Sequence, residues 1–224
     1  MRRLSLFLLL LAAVPSGIAA AQGARPVVAV LPFENGGSYG QDRETFDALR
    51  LGLQALLVSE LARHSGARLL EPDVVRSRGG RPEGTHVVDA ATAAASGKAL
   101  GATHVVLGAF TDHYGRFRVD ARVVDVDGGR IVKVVSNDPK LVDRRELYAM
   151  VQSLSARVAE VLGLPAVSAS SRSIPSEAVT AFSRGLLLLE RGRPEDAGAA
   201  FRQALELAPE LTEARAALGG SGGS

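Results

Sequence analysis

A chain of 224 residues, 46% of them apolar, has the material for one ordinary domain and an appendage. The formal charge is only +2, the lysines are Lys98, Lys133 and Lys140, and the arginines are scattered rather than blocked, so no electrostatic footprint for nucleic acid is present. With no cysteine, this sequence excludes disulfides, thiolate nucleophiles, Cys-type zinc sites and an acylated N-terminal Cys.

The N-terminus reads as an export signal. Arg2-Arg3 precede an apolar run over residues 4–14, Pro15, Ser16 and Gly17 break it, and Ala19-Ala20-Ala21 supply small residues for cleavage before Gln22. A membrane anchor is the competing reading, but the run stops well short of the roughly 18 to 20 residues that span a bilayer. Residues 1–21 are therefore expected to be a signal peptide. No later segment is apolar for long enough to span, so the mature chain is expected to be soluble, in the periplasm or secreted.

Residues 27–33, VVAVLPF, are almost continuously apolar, the pattern of a strand buried on both faces. The run empties through Glu34-Asn35 into Gly36-Gly37, as a phosphate cradle would. Residues 36–44, GGSYGQDRE, lack the lysine of a P-loop and the glycine spacing of a dinucleotide fingerprint. They also place Asp42 and Glu44 at the helix start, where phosphate would be repelled, so this is read as a structural loop. Asp42 caps a helix in which Phe46, Leu49, Leu53, Leu56, Leu57 and Leu61 recur at spacings of three and four, and Ser65-Gly66 end it. Residues 67–70 read as a short strand and Glu71-Pro72-Asp73 as the start of a helical turn. Residues 78–84 read as an exposed loop, and residues 89–100 as an alanine-rich helix stopped by Gly101.

Three strands follow. Residues 104–111 are mostly apolar and should be central. Residues 116–126 alternate, with Phe117, Val119, Ala121 and Val123 on one side and Arg116, Arg118, Asp120 and Arg122 on the other. Asp127-Gly128-Gly129 turns the chain back along residues 131–136. Asp143 is expected to cap a helix reaching about residue 162, with Leu147, Val151, Leu154, Val158 and Val161 inward and Gly163 ending it. The order β-α-β-α-β-β-β-α predicts an α/β domain over residues 22–163, a mixed sheet covered by helices.

Residues 164–175, LPAVSASSRSIP, are small, polar and proline-bounded and read as a linker. Two amphipathic helices then flank Arg191-Gly192-Arg193-Pro194. The stretch AVTAFSRGLLLLERGRPEDAGAAFRQALELAPE resembles a tetratricopeptide repeat over residues 176–211. Gly185, Ala197, Phe201, Ala204 and Pro209 stand at the repeat's spacings, while Ala181 replaces the usual tryptophan and Leu188 the usual tyrosine. One period of about 34 residues further on, Leu218-Gly219 begin the next repeat. Residues 212–224 therefore read as the start of a second repeat with a Gly/Ser tail, GGSGGS, of flexible or engineered linker type. Since about three repeats are normally needed for a stable stack, truncation from a longer array is expected. The alternative is a lone helix pair docked on the first domain or on another copy.

Candidate chemistry is sparse. Asp125-Val126-Asp127-Gly128 echoes a calcium loop but lacks its later acidic ligands. His64, His86, His104 and His113 form no H-x-x-x-H pair, G-x-S-x-G is absent, and Asp112-His113 has no serine context for a triad. No catalytic, cofactor-binding or metal-ligating residue is assigned, and a non-enzyme without a cofactor is expected. Arg116, Arg118 and Arg122 are read two ways: as a solvated strand face with Asp120 as a partner, and as a face that binds an acidic partner.

The segments VVAVLPFEN and ALGATHVVLGAFTDHYGRFRVDARVVDVDGGRIV resemble the TolB amino-terminal-like domains and their CsgG-like relatives, over about residues 26–163. The matching positions are Leu31-Pro32-Phe33-Glu34-Asn35, Leu100-Gly101, Gly108 and Asp127-Gly128-Gly129. The resemblance implies a non-catalytic role in periplasmic or envelope assembly. The first domain would oligomerise or dock on an envelope complex, and the repeat would take a protein partner. CsgG itself is a lipoprotein that forms a secretion pore. This chain lacks the acylated cysteine and the long alternating hairpins of a membrane barrel. The soluble domain is carried over; a CsgG-type outer-membrane component stays as one alternative, and a small-ligand or enzymatic domain with a pocket beneath Gly36-Gly37 as another.

Overall fold

The first apolar run becomes strand β1 (Val27–Val30) in the computed structural model, which describes residues 25–79, 89–136, 141–168 and 170–221. The expected signal peptide and most of the loop at 78–84 lie outside the described residues. β-Branched valines favour the extended chain, and both faces of β1 are buried: Val28 and Val30 enter one apolar cluster, Ala29 and Leu31 another. Pro32 has no N–H for a ladder. Strand pairing breaks beside it and resumes as β2 (Glu34–Asn35), so β1 and β2 both run parallel to β4 (His104–His113). Phe33 is fully buried at the break. It fits because Gly108 of β4 has no side chain; a Cβ there would lie 2.4 Å from the Phe33 ring.

The sheet runs β3 (Arg68–Leu69), β1, β4, β5 (Arg116–Asp125), β6 (Arg130–Ser136), and β7 (Val142–Asp143) pairs with the start of β5. β3, β1 and β4 are parallel; β4, β5 and β6 are antiparallel. The sheet is thus mixed, with β4 inside it. β4 extends past the expected residue 111, because Asp112 and His113 still pair with Phe117 and Arg116.

Helix α1 (Arg43–Ala62) starts at Asp42, whose carboxylate accepts the Thr45 N–H at 2.7 Å. It lays Leu49, Leu53, Leu56 and Leu57 in the same cluster as α4 (Leu147–Val161), over one face of the sheet. Asp143 caps a single 3-10 turn, Arg144–Glu146, and α4 begins only after it. α2 (Pro72–Arg78) and α3 (Ala90–Leu100) contribute to the cluster on the opposite face. Gln54, fully buried in α1, donates to the Val30 carbonyl at 2.8 Å, which the two-residue β3 does not reach.

Residues 164–175 form no regular element but stay attached. Ile174 is buried, and Arg63 donates to the Ser168 carbonyl at 2.9 Å. Helices α5 (Ser176–Glu190) and α6 (Pro194–Leu207) make a hairpin, and α7 (Thr212–Ser221) continues through Gly219 and Gly220, where the sequence reads as a tail. The hairpin lies on α1. At the crossing, a Cβ on Gly52 would stand 1.8 Å from Ser183 Oγ. One apolar cluster therefore runs from the sheet through α1 into the hairpin, joining Val106, Leu53, Phe182 and Phe201.

Candidate protein-interaction surface

Four of the five positions that carry the repeat-like pattern meet in one seam. Ala197, Phe201 and Ala204 of α6 are fully buried. Gly185 of α5 admits the Phe201 ring, since a Cβ there would lie 2.3 Å from it. Phe182 adds a tilted aromatic contact with Phe201 at 6.0 Å between ring centres. Ala181 and Leu188, the two departures from the pattern, are buried as small and medium apolar fillers. Pro209 is exposed in the turn before α7, its carbonyl accepting from Arg215 at 2.6 Å.

A groove of about 610 Å³ remains between α1, α5 and α7. Ala55 and Val58 of α1, Leu186 and Leu189 of α5, and Ala216 and Ala217 of α7 line it. Its size falls in the range of ordinary ligand-binding clefts. α2 forms part of the rim, where Arg76 is ion-paired with Asp73 and also donates to Gln54 at 3.1 Å.

Beside the groove, four segments are tied by a polar cluster. Tyr148 of α4 donates to Glu60 of α1 at 2.5 Å. Arg172, from the irregular segment, grips Glu213 of α7 with two hydrogen bonds of 3.1 and 2.6 Å, and its guanidinium sits 5.3 Å above the Tyr148 ring. Ser59 also donates to Glu213. Burial opposes ionisation of Glu213, but the hydrogen bonds from Arg172 and Ser59 outweigh it and hold the carboxyl below its ordinary range. Burial, reinforced by the Glu60 carboxylate, pushes the Tyr148 hydroxyl far upward. Sequence reading missed this cluster. Its local signals were a glutamate inside the apolar α1 and an arginine inside a serine-rich run, and nothing local links them.

The three arginines singled out on β5 share one side of the strand but do not act alike. Arg118 is clasped to Asp120 by hydrogen bonds of 2.9 to 3.0 Å. Arg116 donates to the Leu141 carbonyl at 2.6 Å. Arg122 borders a recess of about 10 Å³ with Glu34 and Asp120, room for a single water. The Gly36 N–H is tied to the Phe110 carbonyl at 2.7 Å, which closes the loop onto β4. His104 Nδ1 lies 3.0 Å from Thr103 Oγ1, and His64 Nδ1 lies 3.0 Å from the Pro165 carbonyl. Among the described residues no three acidic or histidine side chains gather where a metal ion would sit, and no helix is long and apolar enough to cross a membrane.

No protein-family model matches the chain, and no curated protein matches it. Among solved structures, it is similar to TolB from Acinetobacter baumannii, with 16% identity and a TM-score of 0.37, over 62% of this chain and only 27% of TolB. It is similar to the LpoB C-terminal domain from Salmonella enterica, with 16% identity and a TM-score of 0.34, over 53% of this chain and 84% of that one. It is also similar to lipoprotein GNA1162 from Neisseria meningitidis, with 17% identity and a TM-score of 0.41, over 60% of this chain and 96% of that one.

Proposed function

We propose that the chain is an exported, non-catalytic adaptor that works by protein contact in the periplasm or cell envelope. Its helical hairpin, read as a tetratricopeptide unit, supplies the partner surface. The observation that carries this reading is the groove between α1, α5 and α7, about 610 Å³ in volume, with apolar residues of all three helices on its walls and Ser59, Glu213 and the charged end of α2 beside them. Such a groove takes apolar side chains from a helix or an extended segment. The helices that frame it are held in place from the side by the Arg172–Glu213 pair, so the surface is preorganised. The groups with displaced pKa values beside it, Glu213 and Tyr148, are engaged by Arg172 and Glu60 and serve as struts. Export rests on the charged start, the short apolar run and the small residues before Gln22.

Osmotic shock of a Gram-negative host that expresses the whole chain tests this reading. The chain should be released in soluble form, with a mature N-terminus at Gln22. Retention in the membrane pellet through a salt wash would favour the CsgG-type alternative. Recovery in the cytoplasm with residues 1–21 intact would remove the export half of the reading.

A further inference from the structure

At the other end of α1 from the groove, β4 and β5 are joined by a two-residue turn, Tyr114-Gly115, between the paired His113 and Arg116. Both turn residues have positive φ, 54° for Tyr114 and 89° for Gly115, as a type I′ hairpin requires. The first of these positions normally takes Asn, Asp or Gly, since a bulky side chain is strained there. Among the described residues Tyr114 is the only non-glycine with positive φ. Its side chain gains almost nothing from folding in return, because the residue is 81% exposed.

The surroundings fix the backbone of this turn. Tyr114 donates its N–H to the Tyr39 carbonyl, and Tyr39 donates to the Asp112 carbonyl at 2.7 Å. Gly40, at φ 93°, leaves room for Tyr114; a Cβ on it would lie 2.8 Å from Tyr114 Cα. Asp112 is fully buried, accepts the Gly115 N–H at 2.7 Å and pairs with Arg144. Arg144 in turn donates its own N–H to the Gly115 carbonyl at 2.8 Å. Tyr39 is 58% exposed and its ring lies 5.8 Å from His113. The result is a hydrogen-bonded tip that presents Tyr39, His113, Tyr114 and Arg116, all four exposed.

We propose that this tip is a second docking surface, for a partner protein with an apolar cleft that accepts the Tyr114 ring and a polar rim that meets Arg116. Tyrosine and arginine dominate the energetics of protein interfaces, and a rigid tyrosine offers contact area at little entropic cost. An anionic bilayer fits less well, because Arg144 and Arg145 beside the tip are ion-paired with Asp112 and Asp143. A second copy presenting the same tip also fits less well. It would set Arg116 of one copy against Arg116 of the other, and like charges in contact oppose association. The tip lies apart from the groove residues, so the inference stands independently of the function proposed above.

The first test is the melting temperature of full-length Tyr114→Gly. If the ring serves a partner, melting should stay within about 1 °C of the parent or rise, because glycine suits the turn. A fall of more than about 3 °C would show the ring to be a structural prop and overturn the proposal. The second test places a photo-cross-linking phenylalanine at position 114 in intact cells, with Val167 as the exposed control position. A discrete adduct with a second polypeptide supports the proposal, provided that polypeptide, once purified, binds the parent and loses about tenfold or more in affinity with Tyr114→Gly. An adduct only with another copy, no adduct beyond the Val167 control, or Tyr114-dependent sedimentation with phosphatidylglycerol vesicles would each overturn it.

Discussion

Gly52→Ala places two physical effects in opposition. In an exposed helix, replacing glycine by alanine in mid-helix stabilises by about 1 kcal/mol. Gly52 sits instead where α1 crosses α5, and its new Cβ would lie 1.8 Å from Ser183 Oγ, 2.7 Å from Ser183 Cβ and 3.2 Å from Ser183 Cα. Rotating the hydroxyl away does not suffice, since the Cβ contact remains, and Ser183 Oγ would lose its 2.7 Å bond to the Val179 carbonyl. Ser183 is fully buried, so the two helices must separate. Overpacking of this kind costs about 1–3 kcal/mol, and the severity of the clash favours the upper end. The net expectation is a loss of about 1–2 kcal/mol, or a drop in melting temperature of about 2–8 °C for a chain of this size. Urea denaturation of the mature chain reads this directly. In a Ser183→Gly background the same substitution should become neutral or stabilising, a coupling of about 2 kcal/mol in the double-mutant cycle. If Gly52→Ala raises stability by about 1 kcal/mol in the parent, α5 does not rest on α1 and the reasoning fails.

Phe201→Ala should cost about 3–5 kcal/mol, because the ring is fully buried in the seam opposite Gly185, and the urea midpoint of far-UV circular dichroism would report it; a loss under about 1 kcal/mol would mean the seam is not packed as described. Glu213 gives a pH dependence of defined sign. Its folded pKa lies below the ordinary value of 4.5, so its contribution is fully present above that value and is lost as pH falls through and below it. Acid titration of Glu213→Gln should therefore give a shallower loss of stability below about pH 4.5 than the parent, and parallel curves would count against the Arg172–Glu213 clamp.

Much of the sheet is legible in the sequence because burial on both faces and one-sided alternation leave different patterns. Residues 27–33 show the first and residues 116–126 the second. The cap at Asp42 is also local, its carboxylate accepting the Thr45 N–H at 2.7 Å. Features set by distant partners were not legible. β2 and β7 have two residues each, too few for any period, and exist because β4 and β5 offer them edges. Asp112 looks like a loop residue, yet it is fully buried at the end of β4 because Arg144 comes from elsewhere to pair with it. The alternation on β5 sets Arg116, Arg118 and Arg122 on one side with Asp120 as a partner, and Asp120 clasps Arg118, two residues away on the same strand, rather than a residue of a neighbouring strand. The groove was least accessible, since it arises only where α1 meets the hairpin and α7.

The central claim is that the groove between α1, α5 and α7 receives a partner protein outside the cytoplasm. Leu189 lines that groove, whereas Arg202 is exposed on α6 and is not among the residues that line it. A photo-cross-linking residue at each position, irradiated in intact cells and followed by osmotic shock, tests the claim most directly. A discrete adduct with a second polypeptide from position 189 but not from position 202, recovered in the shock fluid, is the predicted result. Equal adducts from both positions, or none from position 189, would contradict it.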